Sequence, residues 1–428
     1  MFKSFLGTAG LQLSGKLFTV LSGIIIARTL GPENYGRYAY VMSIIAIAVI
    51  PTVAGLPQLL IREIGLYVSS GSKTELKGLY VWSNIYTFTV SAVVCLVIWI
   101  MIYNGYIGEE VSNLLLVALV LIPIKGTLSK QTAILNAYQK PVLAQVTLNF
   151  LWPFLAFSQV VILYLISADI NEVRLVYVQI LSIVISLIVS LIIFNKVANL
   201  GFDGVKAHYE LARWHSSLLP FMGLFIVSTL NVELAVLFVG NMLDEYYVGL
   251  FRVASQAILI ISISMHSINS ITAPKLVRAF SKKENINYVN AQRVLDKGVL
   301  ISSVFSIPII ISLILVGDYF ICFLFGSQYE DAISVLRILC IGQLFNVILG
   351  SPDMVLNYCG YEKLSLRIVA FSMLISIVSM FALIPIYGIE GAAFSVALAQ
   401  FVNKGVMLLF VYSKTGLVTC LRKSINKS

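Results

Sequence analysis

Residues 175–194 read LVYVQILSIVISLIVSLIIF, twenty consecutive residues without Asp, Glu, Lys or Arg. A helix of this length rises about 30 Å, which is the thickness of the hydrocarbon core of a bilayer. The run is continuously apolar and does not alternate with a period of two. It therefore predicts a transmembrane helix and not a strand of a membrane barrel.

Similar runs recur along all 428 residues, of which 59% are hydrophobic and 11% are charged. The mean hydropathy is +0.94. Because soluble domains carry about 25% charged residues, a water-soluble fold could not cover its surface with so few. We therefore predict an all-α integral membrane protein with about twelve transmembrane helices. The predicted spans lie near residues 8–30, 37–59, 79–103, 112–136, 142–166, 173–195, 215–240, 248–272, 298–325, 332–358, 364–386 and 390–413.

Two pairs of short segments indicate an internal repeat of six helices. Residues 135–140, before span five, resemble residues 356–363, before span eleven. Residues 33–38, after span one, resemble residues 245–251, after span seven. The matching order of the two pairs strengthens the prediction.

An even number of helices in each repeat gives both copies the same orientation, so the lobes are related by a pseudo-twofold axis along the membrane normal. The sequence thus predicts two six-helix bundles, an N-terminal lobe of residues 1–205 and a C-terminal lobe of residues 206–428. Transporters built in this way carry the substrate path between their lobes.

The distribution of basic residues predicts the orientation. With the N-terminus in the cytoplasm, 20 of the 29 Lys and Arg residues lie on the cytoplasmic side, and only Arg28, Arg37 and Arg174 lie near the outer ends. This asymmetry follows the positive-inside rule. It predicts a multi-pass membrane protein with both termini cytoplasmic. The net charge of +9 then indicates anionic membrane lipids as partners and not nucleic acid.

Polar side chains inside the spans are candidates for function, because a charge at mid-bilayer costs about 2.5–3.5 kcal/mol unless it meets a cavity or a partner. Span four carries a polar stripe at Lys125, Ser129, Thr132 and Asn136, and span ten an equivalent one at Asn346, Gly350, Asp353 and Asn357. The stripes predict a hydrated, mostly cationic cavity that attracts an anionic substrate.

The candidate residues fall into two groups. The predicted substrate-binding residues are Lys16, Lys125, Lys130, Arg252, Arg337 and Lys404, and the predicted coupling or polar-stripe residues are Glu233, His266, Asp353, Asn136 and Asn357. Snorkelling competes with a cavity role for the three cations nearest the span ends, Lys130, Arg252 and Arg337. Glu233 could neutralise a cation or carry a proton, and His266, Asp353 and the amides could be structural.

Several classes of protein are disfavoured. The sequence contains no GxxxxGK[ST] phosphate loop, no HExxH and no metal-ligand cluster. The longest polar connections, residues 196–214 and 276–297, are too short for a soluble domain. A primary pump or hydrolase is therefore disfavoured, and no catalytic residue, cofactor or metal is predicted.

The chain resembles the Wzx-type O-antigen and polysaccharide flippases of the multidrug/oligosaccharidyl-lipid/polysaccharide exporter superfamily. The resemblance covers essentially the whole chain. The residues that carry it are ARTLGPENYG at 27–36, VGLF at 248–251 with Ala254, PKL at 274–276, LFGSQY at 324–329 and the Leu356-Asn357 segment.

The resemblance implies a MATE-like fold and a non-enzymatic function. The implied substrate is an undecaprenyl-pyrophosphate-linked oligosaccharide, which is flipped from the cytoplasmic to the periplasmic leaflet of a bacterial inner membrane. The implied mechanism is alternating access driven by a gradient of H+ or Na+. Glycosyltransferases and a polysaccharide polymerase are expected partners. Cationic residues in the lumen are implicated in transport by this family, and Lys16, Arg252 and Lys404 are the candidates for such residues here. The alternatives are a cation-coupled multidrug exporter of the same fold, a non-transporting scaffold for polysaccharide assembly, and an enzyme acting on lipid-linked sugars.

Overall fold

The protein is helical throughout its described part. The computed structural model describes residues 2–166, 169–197, 204–280 and 288–421, with side chains excepted at 2–6, at 9 and at parts of 217–232 and 263–279. Within these ranges there is no strand, and eight helical stretches are long and apolar enough to cross a membrane. The predicted all-α membrane fold is confirmed.

Helices also lie at each of the twelve predicted positions within the described ranges. Two of the eight apolar stretches, Gly10–Ser70 and Glu362–Thr415, each hold two predicted spans. Predicted spans seven and eight fall on helices Leu211–Met242 and Glu245–Phe280. The connections predicted at 196–214 and 276–297 lie partly outside the described residues.

The chain forms two compact units. Unit 1 comprises Met1–Leu30 and Arg37–Glu233, and unit 2 comprises Gly31–Gly36 and Leu234–Ser428. The lobe boundary predicted at residues 205–206 stays a prediction, because units defined by packing need not coincide with units defined by a sequence repeat.

Unit 1 is built around α6. Its elements are α1 (Phe2–Ala48) apart from its kink, α2 (Ile50–Val53), α3 (Leu56–Ser70), α4 (Lys73–Tyr103), α5 (Glu109–Ala118), α6 (Leu121–Ala137), α7 (Pro141–Gln145), a π-helix (Val146–Leu151), α8 (Trp152–Leu165), α9 (Glu172–Val197) and α10 (Leu211–Met242) as far as Glu233. Helix α6 packs against α3, α4 and α9, and α8 packs against α9.

Unit 2 is built around α13. Its elements are the kink of α1, the rest of α10, α11 (Glu245–Phe280), α12 (Tyr288–Leu324), a 3-10 turn (Ser327–Tyr329), α13 (Ala332–Leu349), α14 (Pro352–Tyr358) and α15 (Glu362–Thr415). Helix α13 packs against α11, α12 and α15.

Two helices are too long for a single crossing. Helix α1 has 47 residues and α15 has 54, and an unbroken helix of 47 residues would extend about 70 Å, more than twice the hydrocarbon core. Each is interrupted at a glycine with positive φ, Gly31 at 77° and Gly388 at 58°. Glycine adopts this conformation without a Cβ clash, so these two residues divide each helix into two spans.

Small hydroxyl residues form the packed faces of the unit 1 helices. Ser83, Thr87 and Ser91 of α4 and Ser182, Ser186 and Ser190 of α9 are each at most 2% exposed. Thr87 Oγ1 donates to the Ser83 carbonyl at 2.8 Å, so its hydroxyl is satisfied within its own helix. The next residue, Phe88, is 73% exposed. Because lipid tails are as apolar as leucine, helix association in a bilayer relies on such close packing of small residues.

Exposed aromatic residues lie at the helix ends predicted to face outward. In unit 1 these include Tyr103, at the end of α4, and Tyr164, near the end of α8; in unit 2 Tyr319 lies near the end of α12. Tyrosine is enriched where a membrane meets water. Their positions agree with helices that end at the predicted outer surface of the bilayer.

Arg37 connects three helices of unit 1 at the same predicted outer surface. Its guanidinium forms ion pairs with Glu172 at 2.9 Å and with Glu110. Arg37 and Glu172 are only 16% and 14% exposed, whereas Glu110 is 71% exposed. Glu110 and Glu172, each in the first turn of its helix, therefore neutralise a partly buried cation.

The connection that leads into α10 is docked on unit 1. Lys77 Nζ donates to the Val205 carbonyl at 2.9 Å, and the His208 amide donates to the Thr74 carbonyl at 3.0 Å. A Cβ added at Gly78 would lie 1.8 Å from the His208 carbonyl oxygen. The segment therefore follows the surface of α4 at backbone contact distance.

Trp214 completes this docking at the start of α10. Its side chain is fully buried, and its indole Nε1 donates to the Tyr67 hydroxyl at 3.1 Å. That hydroxyl in turn donates to Glu210 Oε2 at 2.5 Å. Next to it, Arg213 forms an ion pair at 2.8 Å with Glu63, whose side chain is fully buried. A network of hydrogen bonds and charges thus connects α3 to α10.

Candidate substrate site

Lys125 lies on α6 against an aromatic ring. Its ammonium nitrogen is 5.2 Å from the centre of the Trp152 ring, at the start of α8. A cation over an aromatic face is attracted by the ring quadrupole, which holds it in place without cancelling its charge. The sequence predicted the polar stripe that contains Lys125 and Asn136 but not this neighbour.

Glu233 is held in unit 1 by a hydroxyl. Ser43 Oγ, on α1, donates to Glu233 Oε2 at 2.7 Å, and the side chain of Glu233 is half-buried. Glu233 also contributes to the electrostatic environment of Lys125. Two predicted site residues, one cation and one anion, therefore lie in the same region of unit 1.

Lys16 lies on an exposed face of α1, one turn after Gln12. The amide nitrogen of Gln12 donates to Gln145 Oε1 at 3.3 Å, and Asn149 Nδ2 donates to the same oxygen. Three amides from two parts of unit 1 are therefore joined through one acceptor. The Trp152 indole, three residues after Asn149, donates to Gln179 Oε1 at 3.1 Å.

A π-helix of residues Val146–Leu151 separates Gln145 from Trp152. Pro153 has no N–H to offer the Asn149 carbonyl four residues earlier, which accounts for the widened turn. The backbone of α1 approaches at this point, and a Cβ added at Gly15 would lie 1.6 Å from the Asn149 carbonyl oxygen. The widened turn and the glycine together fix the position of α1 relative to Asn149.

The candidates predicted from the sequence do not include Gln145, Asn149 and Trp152. Their spacing of i, i+4 and i+7 is the one that singled out the stripe on span four, so the same criterion applied to span five would have found them.

Lys130 is placed differently from the other lysines. It is 2% exposed, and its ammonium group donates to Asn84 Oδ1 on α4. This contact gives the ammonium group one hydrogen-bond acceptor within unit 1 and supports a packing role. Its predicted role in binding substrate stays a prediction.

In unit 2 the structure brings Lys404 and Asp353 together. The Lys404 ammonium lies 2.6 Å from Asp353 Oδ1, with the two side chains 18% and 43% exposed. Asn357, one turn after Asp353 on α14, is exposed. Asp353 and Asn357 of the predicted stripe on span ten therefore lie one turn apart on α14, where Asp353 pairs with a cation.

The remaining candidates do not join this group. Arg337 forms an ion pair with Asp318 at 2.8 Å, and both side chains are about half exposed, at 45% and 53%. The side chain of His266 lies outside the described residues. The roles predicted for both residues stay predictions.

Arg252 lies beside the kink segment of α1, residues 31–36, within unit 2. Tyr35 is buried, with 4% of its surface exposed, and its hydroxyl donates to Gln256 Oε1 at 2.9 Å. Arg252 interacts with the same hydroxyl. The ARTLGPENYG motif thus contributes a buried tyrosine that is held by two side chains of α11.

The same segment is joined to α11 through glycines. A Cβ added at Gly36 would lie 1.7 Å from the Glu245 carbonyl oxygen, and one added at Gly249 would lie 2.0 Å from the Pro32 carbonyl oxygen. These glycines belong to the two segments that the sequence repeat pairs. Because the two backbones touch at these points, the positions of Gly36 and Gly249 have no room for a side chain.

No metal centre is found in the part of the chain that the structure describes. Those residues contain no group of three or more His, Cys, Asp or Glu side chains that could hold a metal ion. The identity of the coupling ion, H+ or Na+, stays a prediction.

Comparison with solved structures defines the class of protein. A multidrug resistance MATE family transporter in an inward-facing conformation matches 95% of this chain and 98% of its own, with a TM-score of 0.75 and 16% identity. The lipid II flippase MurJ matches 94% of this chain and 87% of its own, with a TM-score of 0.73 and 13% identity. The chain is therefore a multi-pass membrane protein with the MATE-type fold.

Sequence comparison then defines the family. A model of the polysaccharide biosynthesis protein family matches residues 25–334, and the chain belongs to this family. The capsular polysaccharide biosynthesis protein CapF of Staphylococcus aureus is 24% identical over 254 residues, 56% of this chain, and the match spans 60% of CapF.

Two relatives match over nearly the whole chain. A protein of Haloferax volcanii named as a low-salt glycan biosynthesis flippase is 24% identical over 96% of this chain and 84% of its own. A protein of Shigella flexneri named as an O-antigen transporter is 22% identical over 91% of this chain and 92% of its own. The resemblance to polysaccharide flippases inferred from the sequence motifs is confirmed.

Proposed function

We propose that this chain is a flippase that moves an undecaprenyl-pyrophosphate-linked oligosaccharide from the cytoplasmic to the periplasmic leaflet of a bacterial inner membrane by alternating access. Membership of the polysaccharide biosynthesis family, the MATE-type fold and the names of the two full-length relatives support this proposal. In this role the protein is a transporter and not an enzyme, and both termini are cytoplasmic. Glycosyltransferases supply its substrate and a polymerase uses its product.

The observation that carries the proposal is the placement of Lys16 and Lys125. Both lysines lie on apolar, membrane-length helical stretches, Lys16 on an exposed face and Lys125 against Trp152. An ammonium group at this depth is costly unless it meets water or an anion. A pyrophosphate supplies the anion and accepts charge-assisted hydrogen bonds from lysine.

Removing both charges tests the proposal. In a strain that lacks the chromosomal gene, the Lys16→Ala/Lys125→Ala variant is expected to export at least about tenfold less surface polymer than the wild type, since each charge-assisted bond contributes about 1.5–3 kcal/mol. The measurement is the amount of surface polymer per cell at equal protein level.

Lys414→Ala is the control for this experiment, because Lys414 is exposed in the last turn of α15 and outside the proposed site. If the double variant exported as much polymer as the wild type, the two lysines would no longer support the proposed flippase function. If deletion of the gene left the polymer intact and made the cells sensitive to cationic drugs, the multidrug exporter of the same fold would replace the flippase as the function.

We further propose that Glu233 couples transport to an ion gradient by binding H+ or Na+. The Glu233→Gln variant keeps a hydrogen-bond acceptor for Ser43 and removes the charge, so we expect export to lose its dependence on the gradient and to fall severalfold. Export is measured with a protonophore and, separately, with a sodium ionophore. Glu109→Gln, at the exposed start of α5, is the control. A Glu233→Gln variant that stays fully active and fully ionophore-sensitive would exclude this role.

A further inference from the structure

A polar and aromatic surface of unit 1 is not explained by charge recognition alone. It consists of Gln12, Gln145, Asn149 and Trp152, and it is called the amide–tryptophan face below. Gln145 Oε1 accepts hydrogen bonds from both Gln12 and Asn149, and the Trp152 indole is fixed by Gln179. The face is therefore pre-organised by contacts within the protein.

Its depth requires a polar environment. Trp152 lies eleven residues after Pro141 in the apolar stretch Pro141–Leu165, about 16 Å along the helix axis. Gln12 is exposed, and Gln145 and Asn149 are half-buried. Asn149 lies eight residues after Pro141, about 12 Å along the helix axis, whereas Gln12 and Gln145 lie within about 6 Å of the starts of their apolar stretches. Because an amide with an unused hydrogen-bonding group is unfavourable in hydrocarbon, the half-buried Asn149 indicates that the face meets water or a polar ligand.

The unused hydrogen-bonding groups define that ligand. Among the described residues, Gln145 Nε2 donates to no protein group, and the oxygens of Gln12 and Asn149 accept from none. The face therefore presents one donor group and two acceptors next to an aromatic ring. Vicinal hydroxyls of a sugar both donate and accept, and the apolar C–H side of a pyranose packs on an indole.

The order of the groups matches the order of bonds in the proposed substrate. Lys125 lies against Trp152, Asn149 is one turn before Trp152, and Gln145 is one turn before Asn149. A sugar on this face would therefore place its anomeric phosphate beside a lysine. Resting on the proposed function, we infer that the amide–tryptophan face binds the first sugars of the lipid-linked oligosaccharide, while the lysines bind its pyrophosphate.

Comparing the affinity of the protein for two lipids, one with and one without a sugar, separates recognition of the sugar from recognition of the pyrophosphate. The full chain is purified in detergent, and its affinity is measured for undecaprenyl pyrophosphate and for undecaprenyl-pyrophosphoryl-N-acetylglucosamine. The Gln145→Ala/Asn149→Ala variant is expected to bind the sugar-bearing lipid about tenfold more weakly, because two neutral hydrogen-bonding groups are lost. Its affinity for the lipid without sugar is expected to be unchanged.

Gln159→Ala, on the same helix, is the matched control, because Gln159 bonds only to Ser182 among the described residues. A second pair of variants tests the ring: Trp152→Phe keeps an aromatic surface and is expected to retain sugar-dependent affinity, whereas Trp152→Leu is expected to lose it.

The other possible results of the binding measurements contradict either the inference alone or the proposed function as well. If the Gln145→Ala/Asn149→Ala variant loses affinity equally for both lipids, or loses affinity for neither, the inference is overturned and the proposed function stands. Failure of the wild type to bind either lipid overturns the proposed function and the inference with it.

Discussion

Replacing Gly249 with alanine is expected to remove most of the correctly folded protein. The new Cβ would lie 2.0 Å from the Pro32 carbonyl oxygen and 3.1 Å from the Pro32 Cα, and both atoms belong to backbone that cannot rotate away. Alanine is favoured over glycine in a helix by about 1 kcal/mol, but overpacking of this kind costs about 3 kcal/mol or more, so the clash decides the sign. The measurement is the amount of monodisperse protein and its midpoint of thermal unfolding in detergent.

The control for Gly249→Ala is Gly405→Ala in α15, where an added Cβ would meet nothing within 4 Å. This variant is expected to be as stable as the wild type or more stable, by up to about 1 kcal/mol. Gly36→Ala should reproduce the loss, because its Cβ would lie 1.7 Å from the Glu245 carbonyl oxygen. A Gly249→Ala protein with wild-type yield and midpoint would show that the kink segment does not touch α11 in the folded protein.

Truncating Trp214 to alanine is expected to destabilise unit 1 by about 3–5 kcal/mol, the usual cost of removing a buried aromatic side chain. Its side chain is fully buried, its ring centre lies 5.3 Å from that of Trp82, and its indole donates to Tyr67. Removal leaves a cavity and also removes one contact that docks the start of α10. The variant is measured by thermal unfolding in detergent.

Trp99→Ala is the matched control, since Trp99 is 49% exposed and stacks only on Tyr103 among the described rings. We expect it to change stability by less than about 1 kcal/mol. Trp214→Phe is an intermediate variant, because it keeps an aromatic ring but loses the N–H and part of the buried volume, at a cost of about 2 kcal/mol. Equal midpoints for Trp214→Ala and Trp99→Ala would contradict the docked arrangement of α10.

The positions of the membrane helices could be predicted from the sequence because hydropathy reports the solvent of each segment. The stretch around residues 175–194 illustrates this, since α9 spans Glu172–Val197. The predicted spans also bracket both kinks, since they break at 30–37 and at 386–390. Hydropathy is insensitive to φ, however, so it does not show that the helix continues past Gly31 and Gly388 through a single residue of positive φ instead of a loop.

The candidate site was predictable in its residue types and less so in its partners. Lys404 and Asp353 were both predicted as site residues, but their ion pair was not. They lie on two different helices, and the periodicity of each helix does not specify how the two are rotated relative to each other. Asn84, which holds Lys130, lies on another helix 46 residues away. Gln145, Asn149 and Trp152 have the helical spacing of the stripe on span four, but span five contains no charged residue that would mark it as a candidate.

The interrupted helices α1 and α15 affect how the topology can be mapped. Between the two crossings of each helix the chain has no extended loop, so an epitope or reactive cysteine inserted at Gly31 or Gly388 would disrupt continuous secondary structure. The turn at residues 104–108, between α4 and α5, is the better location for an accessibility tag on the predicted outer surface. Labelling there with a membrane-impermeant reagent would assign the sidedness of the protein. It would not disturb the kink segment that contains Tyr35.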